Sequence, residues 1–142
     1  MKKILSFLFF ISLPFITSAE SSDGREAILV PEKVRIQILA DMRVNLETIQ
    51  QVINALARED FEAIEKAASK LGSMDHTEEM MQRRQLMPEG YRALGPRMHM
   101  GFQAIARDAR DFGEVSHTLE QLSSVMSTCM ACHQSYRLEA TR

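Results

Sequence analysis

Hydrophobic residues recur mainly at steps of three and four over residues 31–136, which is the spacing of one face of an α-helix. The first series consists of Leu39, Met42, Leu46, Ile49, Ile53 and Leu56. Pro31 suits the start of this helix, because the N–H that it lacks would have no intrahelical partner in the first turn. Residues 20–30 show no helical period, so we expect them to be irregular.

A second, shorter series predicts a helix that starts after Asp60, whose side chain can cap it. Its members are Phe61, Ile64, Ala68 and Leu71, and Gly72 suits the C-terminal cap. Residues 73–96 have poor periodicity and several Gly and Pro residues, which predicts a long connection with a helical turn around 78–86. The methionines in this connection are interpreted as core filling or as the cover of a pocket, with a copper(I) site as the alternative; they are Met74, Met80, Met81 and Met87.

Two further series predict a third and a fourth helix. The third consists of Met98, Phe102, Ile105, Ala109 and Phe112 and ends at Gly113. The fourth consists of Val115, Leu119, Leu122, Met126, Cys129, His133 and Tyr136. No segment alternates between hydrophobic and polar residues over a useful length, so no strand is predicted. The pattern therefore predicts an all-α fold, an antiparallel four-helix bundle formed by a single domain over residues 20–142.

The first 19 residues have the layout of a secretory signal peptide. Lys2 and Lys3 precede an apolar run over residues 4–16, and small residues follow up to Ala19. The run is short for a membrane span, which needs about 20 residues. We therefore predict cleavage after Ala19 and export of a chain that is not inserted in the membrane; an uncleaved anchor is the alternative.

The charge balance argues weakly against a nucleic-acid partner. Cleavage after Ala19 would remove Lys2 and Lys3, so that the 17 Lys and Arg residues become 15 while all 19 Asp and Glu residues remain. The net charge then changes from −2 to −4, counting His as neutral. Nucleic-acid-binding surfaces are basic, so we expect no nucleic-acid partner.

The two cysteines of the sequence, Cys129 and Cys132, are followed directly by His133 in the string CMACH. In a helix these three side chains share one face, because residues i, i+3 and i+4 are neighbours. Cys-x-x-Cys-His is the attachment signature of c-type haem, in which both thiols bond the vinyl groups and the imidazole binds the iron. The string therefore predicts one covalently bound haem c, and it accounts for two cysteines that need no disulfide in an exported chain.

Two other uses of these residues fit less well. A redox-active pair of thiols of the thioredoxin type needs a βαβ context, which the helical pattern does not offer. A structural zinc site normally has four protein ligands. The remaining histidines show no partner spacing that would complete such a site; they are His76, His99 and His117.

The stretch CMACHQSYR, near the end of a four-helix pattern, resembles the class II c-type cytochromes: the cytochromes c′ and their low-spin, methionine-ligated relatives. The resemblance covers about residues 31–138, and its specific part is Cys-x-x-Cys-His-x-x-Tyr-Arg. It implies a haem near the C-terminal end of the fourth helix, His133 as axial ligand, and Tyr136 and Arg137 beside the haem. Export through the signal peptide predicts a periplasmic location for such a protein. On a continuous helix Arg137 would share a face with His133. Phe102 of the third helix is expected to pack on the haem.

The resemblance implies that the sixth iron position faces the first helix, where Leu39 and Met42 are both in the hydrophobic series. Met42 is favoured by its spacing of 19 residues from Phe61 and by the string MRVN, which resembles the Met-x-x-Asn of the methionine-ligated members. The family often has an arginine four residues before the distal position, and Arg35 has that spacing to Leu39. His99 in the third helix is a third candidate.

The sixth ligand decides the function that the resemblance implies. With Met42 on the iron, the protein would carry electrons between redox partner proteins. With an open position beside Leu39, it would bind or buffer a small gas such as nitric oxide. No paired carboxylates or activated nucleophile are placed against the haem in the sequence, so we expect no enzymatic activity. Family members often pair through their first two helices, which adds a homodimer to the options.

Overall fold

The computed structural model describes residues 23–73 and 77–141. The predicted signal peptide lies outside these residues, as do Met74 and His76. The described part is mostly helical, with five helices and a two-stranded sheet in the order β1 (Glu26–Val30), α1 (Glu32–Leu56), α2 (Phe61–Gly72), α3 (Glu78–Gln85), α4 (Glu89–Asp111), α5 (Val115–Ser135) and β2 (Tyr136–Ala140). No helix within it combines the length and the apolar character needed to cross a membrane.

Helix α1 starts directly after Pro31, as predicted, but its buried face differs from the predicted one. Ile38, Val52 and Ala55 are buried, whereas Leu46 is 67% exposed and Ile53 is 47% exposed. The prediction that Leu46 and Ile53 belong to the core is therefore wrong. Helix α1 carries hydrophobic residues on more than one face, so a period of three and four does not by itself select the buried face.

Helix α2 has the predicted start, because the Asp60 side chain accepts a hydrogen bond of 3.0 Å from the backbone N–H of Ala63. Its last residue is Gly72, and Ser73 occupies the capping position predicted for the glycine. A Cβ atom at Gly72 would lie 3.0 Å from the Cα atom of Gln103 in α4. The glycine therefore permits the close approach of α2 and α4.

The long connection predicted for residues 73–96 is largely helical. The expected helical turn is α3, and Thr77 caps it by accepting a hydrogen bond of 3.3 Å from the backbone N–H of Met80. Helix α4 begins at Glu89, so Pro96 lies inside a helix instead of before one. A proline removes one helical hydrogen bond and usually ends the pattern. The burial of Phe102 and Ile105 further along α4 stabilises the helix in spite of this loss.

The prediction that the chain contains no strand is wrong. Strands β1 and β2 pair in parallel, with Glu26 opposite Tyr136 and Val30 opposite Ala140. Tyr136, which the pattern assigned to the fourth helix, begins β2 because α5 ends at Ser135. Each strand has only five residues, and its partner lies at the other end of the described chain. Two short strands so far apart in the sequence produce no alternation of hydrophobic and polar residues that would reveal their pairing.

The helices pack in the sequence α1 on α2, α2 on α4 and α4 on α5. The larger core cluster lies among these four helices and includes the fully buried Phe102, Ile64 and Ile105. A smaller cluster joins the strands to α1 and consists of Ile28, Val30, Ile38 and Met87. Besides Leu46 and Ile53, three further residues predicted as core lie on the surface, namely Phe112, Leu119 and Met126. Gly113 follows α4 with a φ of 60°, a conformation that glycine adopts without strain.

Candidate functional site

A cavity of about 560 Å³ lies between α1, α3, α4 and the C-terminal half of α5. Cofactor and small-molecule sites typically have volumes of roughly 300–1,000 Å³. The cavity wall is in contact with both core clusters. Met98 of the wall packs against the larger cluster, and Ile38 of the wall belongs to the smaller one. Five methionines line the cavity: Met42, Met80, Met81, Met87 and Met98.

Cys129 and Cys132 line this cavity from one face of α5, together with His133. Both thiols are half-buried and form no disulfide. Burial raises the pKa of the Cys129 thiol, and burial together with the neighbouring Cys129 raises the pKa of the Cys132 thiol. At neutral pH both groups are therefore protonated and less reactive than exposed thiols.

His133 lies in the last turn of α5, where the final four backbone carbonyls of a helix have no intrahelical partner. One guanidinium nitrogen of Arg25 donates a hydrogen bond of 3.3 Å to the His133 carbonyl oxygen. Arg25 also pairs with Asp23 at 2.6 Å, and this hydrogen-bonded pair lowers the pKa of the Asp23 carboxyl to about 2. The segment before β1 is therefore fastened to the turn that carries His133.

Met42 reaches the cavity from α1, so the wall contains a thioether on a different helix from His133. Asn45 lies one turn further along α1, and its amide donates a hydrogen bond of 3.5 Å to the sulfur of Met98. The Met98 sulfur therefore already has a polar partner, whereas the structure gives the Met42 sulfur none among residues 23–73 and 77–141.

His99 also lines the cavity, and its ring has a defined orientation. The distance from its Nδ1 to the backbone carbonyl oxygen of Leu71 is 2.5 Å. A carbonyl oxygen only accepts hydrogen bonds, so Nδ1 is the donor, and in a neutral imidazole Nε2 is then the acceptor nitrogen. This is the tautomer in which a histidine can bind a metal through Nε2.

Helix α3 covers one side of the cavity without burying any of its own residues. Polar contacts attach it to α1: Arg83 pairs with Asp41 at 2.7 Å, and Gln37 donates a hydrogen bond of 2.9 Å to Glu79. Exposed ion pairs contribute only about 0–1 kcal/mol each. The cover is therefore held less firmly than the rest of the wall.

Tyr91 at the start of α4 forms the aromatic part of the wall. Its ring packs edge-on against Tyr136 of β2, with 5.7 Å between the ring centroids. Burial raises the pKa of the Tyr91 hydroxyl to about 12. The Tyr136 hydroxyl in turn occupies the space beside Gly90, where a Cβ atom would clash with it.

Four residues proposed from the sequence do not line the cavity, among them Tyr136, whose ring packs against Tyr91 from β2. Phe102 is completely buried in the larger core cluster, and Leu39 is half-buried on α1 outside the cavity wall. Arg137 belongs to β2, where it donates a hydrogen bond of 3.2 Å to the Arg25 carbonyl and lies 4.0 Å from Asp23. The prediction that Arg137 shares a helix face with His133 is wrong, because α5 ends at Ser135.

The wall also contains charged and aromatic residues that the sequence patterns did not single out, namely Asp41, Arg83, Arg84, Tyr91 and Arg92. Asn45, the last residue of the string MRVN, lines the cavity together with Met42. The basic and aromatic residues fall in the stretch 83–92, which was interpreted as a connection. The sequence offers no periodic signal for these residues, because the stretch has poor periodicity.

Among the described ranges, no group of three or more His, Cys, Asp or Glu side chains is placed to hold a metal ion by itself. His117, one of the remaining histidines, donates a hydrogen bond of 2.9 Å from its Nε2 to the Asp108 carboxylate, near the other end of α5. The chain matches no protein-family model, no curated protein and no solved structure.

Proposed function

We propose that this chain is an exported c-type cytochrome, similar to the class II members, that carries single electrons through one haem. The observation that carries the proposal is the position of Cys129, Cys132, His133 and Met42 on the wall of one cavity. In this proposal α1, α2, α4 and α5 are the four helices of an antiparallel bundle, and α3 is a cover over the haem.

The residues of the cavity fit a haem. Its volume of about 560 Å³ suits a ligand of that size, and its largely hydrophobic wall suits the flat apolar body of a porphyrin. Cys129 and Cys132 would hold the group by thioether bonds to its two vinyl side chains, and His133 would bind the iron. A haem bound in this way supplies a one-electron ferric/ferrous couple.

The sixth iron ligand is proposed to be Met42. Its side chain lines the cavity, whereas Leu39, which would wall an open gas-binding position, does not. The Met98 sulfur is engaged by Asn45, so it is less suited to bind the iron. A neutral thioether favours the ferrous state and raises the reduction potential, and a fixed pair of ligands limits rearrangement during electron transfer. These features support electron transfer over gas binding.

An absorption spectrum of the oxidised protein tests this proposal. Ligation by His133 and Met42 predicts a low-spin haem with a charge-transfer band between sulfur and iron. A broad high-spin spectrum would instead indicate an open sixth position and the gas-binding alternative. A low-spin spectrum without the sulfur band would indicate a nitrogen ligand, for which His99 is the candidate that the cavity offers.

A further inference from the structure

Positively charged side chains outnumber negatively charged ones on the cavity wall. Three arginines and one aspartate line the cavity: Arg83, Arg84, Arg92 and Asp41. Arg83 and Asp41 pair with each other at 2.7 Å. Neither Arg84 nor Arg92 forms an ion pair with any residue in 23–73 or 77–141. A mainly hydrophobic cavity thus carries two uncompensated positive charges, although the whole chain has a net charge of −2.

The two unpaired arginines come from one corner of the cavity wall, where α3 ends and α4 begins, and Arg84 is exposed. Arg84 is in the last turn of α3 and Arg92 is in the first turn of α4, on either side of the short link 86–88. Arg92 is half-buried, and a charge that is partly removed from water is costly without a partner. Guanidinium groups bind carboxylates in a planar, two-pronged geometry, so this corner is suited to an anion with two carboxylates.

We infer that Arg84 and Arg92 bind the two carboxylates of a ligand whose remaining body is apolar. This inference rests on the proposed function, under which the ligand is haem and the carboxylates are its two propionates. The arginines then act as positioning residues that direct the acidic edge of the haem toward the corner between α3 and α4. Arg137, which the sequence suggested for a place beside the haem, is engaged by Asp23 and the Arg25 carbonyl instead.

The first test compares haem with haem dimethyl ester, which has the same body but no carboxylates. Both are titrated onto the full chain carrying Cys129→Ala and Cys132→Ala, so that binding is non-covalent and reversible. We expect haem to bind at least about tenfold more tightly than the ester, which corresponds to about 1.4 kcal/mol. Equal affinities for the two compounds would overturn the inference without any arginine variant.

Arginine variants then assign the preference to particular residues. Combining Arg84→Gln and Arg92→Gln should abolish the preference for haem over its ester, and each single change should reduce it. Arg58→Gln is the matched control, because Arg58 is exposed, follows the end of α1 and does not line the cavity. A preference that persists in the double variant would contradict the assignment.

The attached form gives an independent readout. Resonance Raman spectra of the wild-type holoprotein report the propionate bending vibration, which depends on the partners of the carboxylates. This band should shift in the double glutamine variant and shift less in Arg84→Lys combined with Arg92→Lys, since lysine keeps the charge but not the two-pronged geometry. A wild type without covalent haem contradicts the proposed function; attached haem with an unmoved propionate band contradicts the role of the two arginines.

Discussion

The side chain of Arg25 donates a hydrogen bond to the backbone carbonyl of His133, joining the segment before β1 to the last turn of α5. Arg137 of β2 completes the connection by donating to the Arg25 carbonyl. The ends of the described chain are thus joined at the helical turn that carries the proposed iron ligand. The parallel pairing of β1 with β2 continues this connection away from the site.

Arg25→Ala should loosen the last turn of α5. The His133 carbonyl loses its side-chain donor, and terminal carbonyls of a helix that lack a partner favour fraying. We expect faster amide hydrogen exchange at residues 132–136, measured by mass spectrometry, with little loss of overall stability because the contact is exposed. Arg58→Ala removes an exposed arginine elsewhere and serves as the control. Unchanged protection at residues 132–136 would show that the contact does not hold this turn.

Met42→Ala should open the sixth position of the iron. We expect a change from low to high spin, a lower reduction potential and ready binding of carbon monoxide by the ferrous form. Leu39→Ala is the matched control: it should leave the spin state unchanged and cost less than the roughly 2–5 kcal/mol of a fully buried leucine. Absorption spectra and redox titrations measure these outcomes.

The same spectra identify the ligand if Met42 is not on the iron. A high-spin wild type that Met42→Ala leaves unchanged would indicate an open position. A low-spin spectrum that survives Met42→Ala but is lost in His99→Ala would assign the ligand to His99 of α4. Either pattern contradicts Met42 ligation.

Asp108→Asn should reduce stability in a pH-dependent way. This buried carboxylate of α4 accepts hydrogen bonds from His117 and from Gln121 of α5, the latter at 2.5 Å. Hydrogen bonds with His117 and Arg107 lower the pKa of the Asp108 carboxyl from its ordinary 3.8 to about 2. The ionised group therefore contributes its full stability above about pH 4 and loses it as the pH falls toward 2.

Urea unfolding measures this contribution. At pH 7 we expect Asp108→Asn to lower the free energy of unfolding by about 1–3 kcal/mol, because a charged hydrogen-bond acceptor is removed from a buried site. The difference from wild type should shrink as the pH approaches 2. Asp111→Asn, which removes an exposed carboxylate paired with Arg110, should change stability by no more than about 1 kcal/mol. Equal effects of the two substitutions would argue against a structural role for Asp108.

The protein without haem should be helical but loosely packed around the cavity. The larger core cluster joins α1, α2, α4 and α5, and none of its buried residues lines the cavity, so the far-UV circular dichroism should persist. Helix α3 buries none of its own residues and should lose protection from hydrogen exchange. Sharp, dispersed NMR signals from the methyl groups of Met80 and Met81 in the apoprotein would contradict this expectation.

The parts of the fold that depend on neighbouring residues could be predicted from the sequence. The cap at Asp60, the turn at Gly113 and the common face of Cys129, Cys132 and His133 all follow from short-range spacing. The start of α4 could not be predicted, because Pro96 resembles a helix boundary and the packing that offsets its lost hydrogen bond comes from the rest of the helix.

The features that were missed depend on distant parts of the chain. The pairing of β1 with β2 joins segments that share no local pattern, and it places Arg137 on a strand instead of beside His133. The exposed faces of Leu46 and Ile53 could not be recognised either, because burial is decided by which side of α1 meets α2. Arg84 and Arg92 gain their significance only when the α3–α4 corner closes one side of the cavity.

The covalent attachment of haem at Cys129 and Cys132 is the central claim, and intact-protein mass spectrometry after denaturation tests it most directly. Residues 1–142 should be expressed in a host that exports the chain and attaches haem to it. The purified protein should then be extracted with acid–acetone before its mass is measured. We predict the mass of residues 20–142 plus one haem, and a pigment that remains with the chain. In the Cys129→Ala/Cys132→Ala variant we predict a chain without the added haem mass and without retained pigment. A wild-type chain with the mass of the polypeptide alone, or a pigment that extracts freely, would contradict the account.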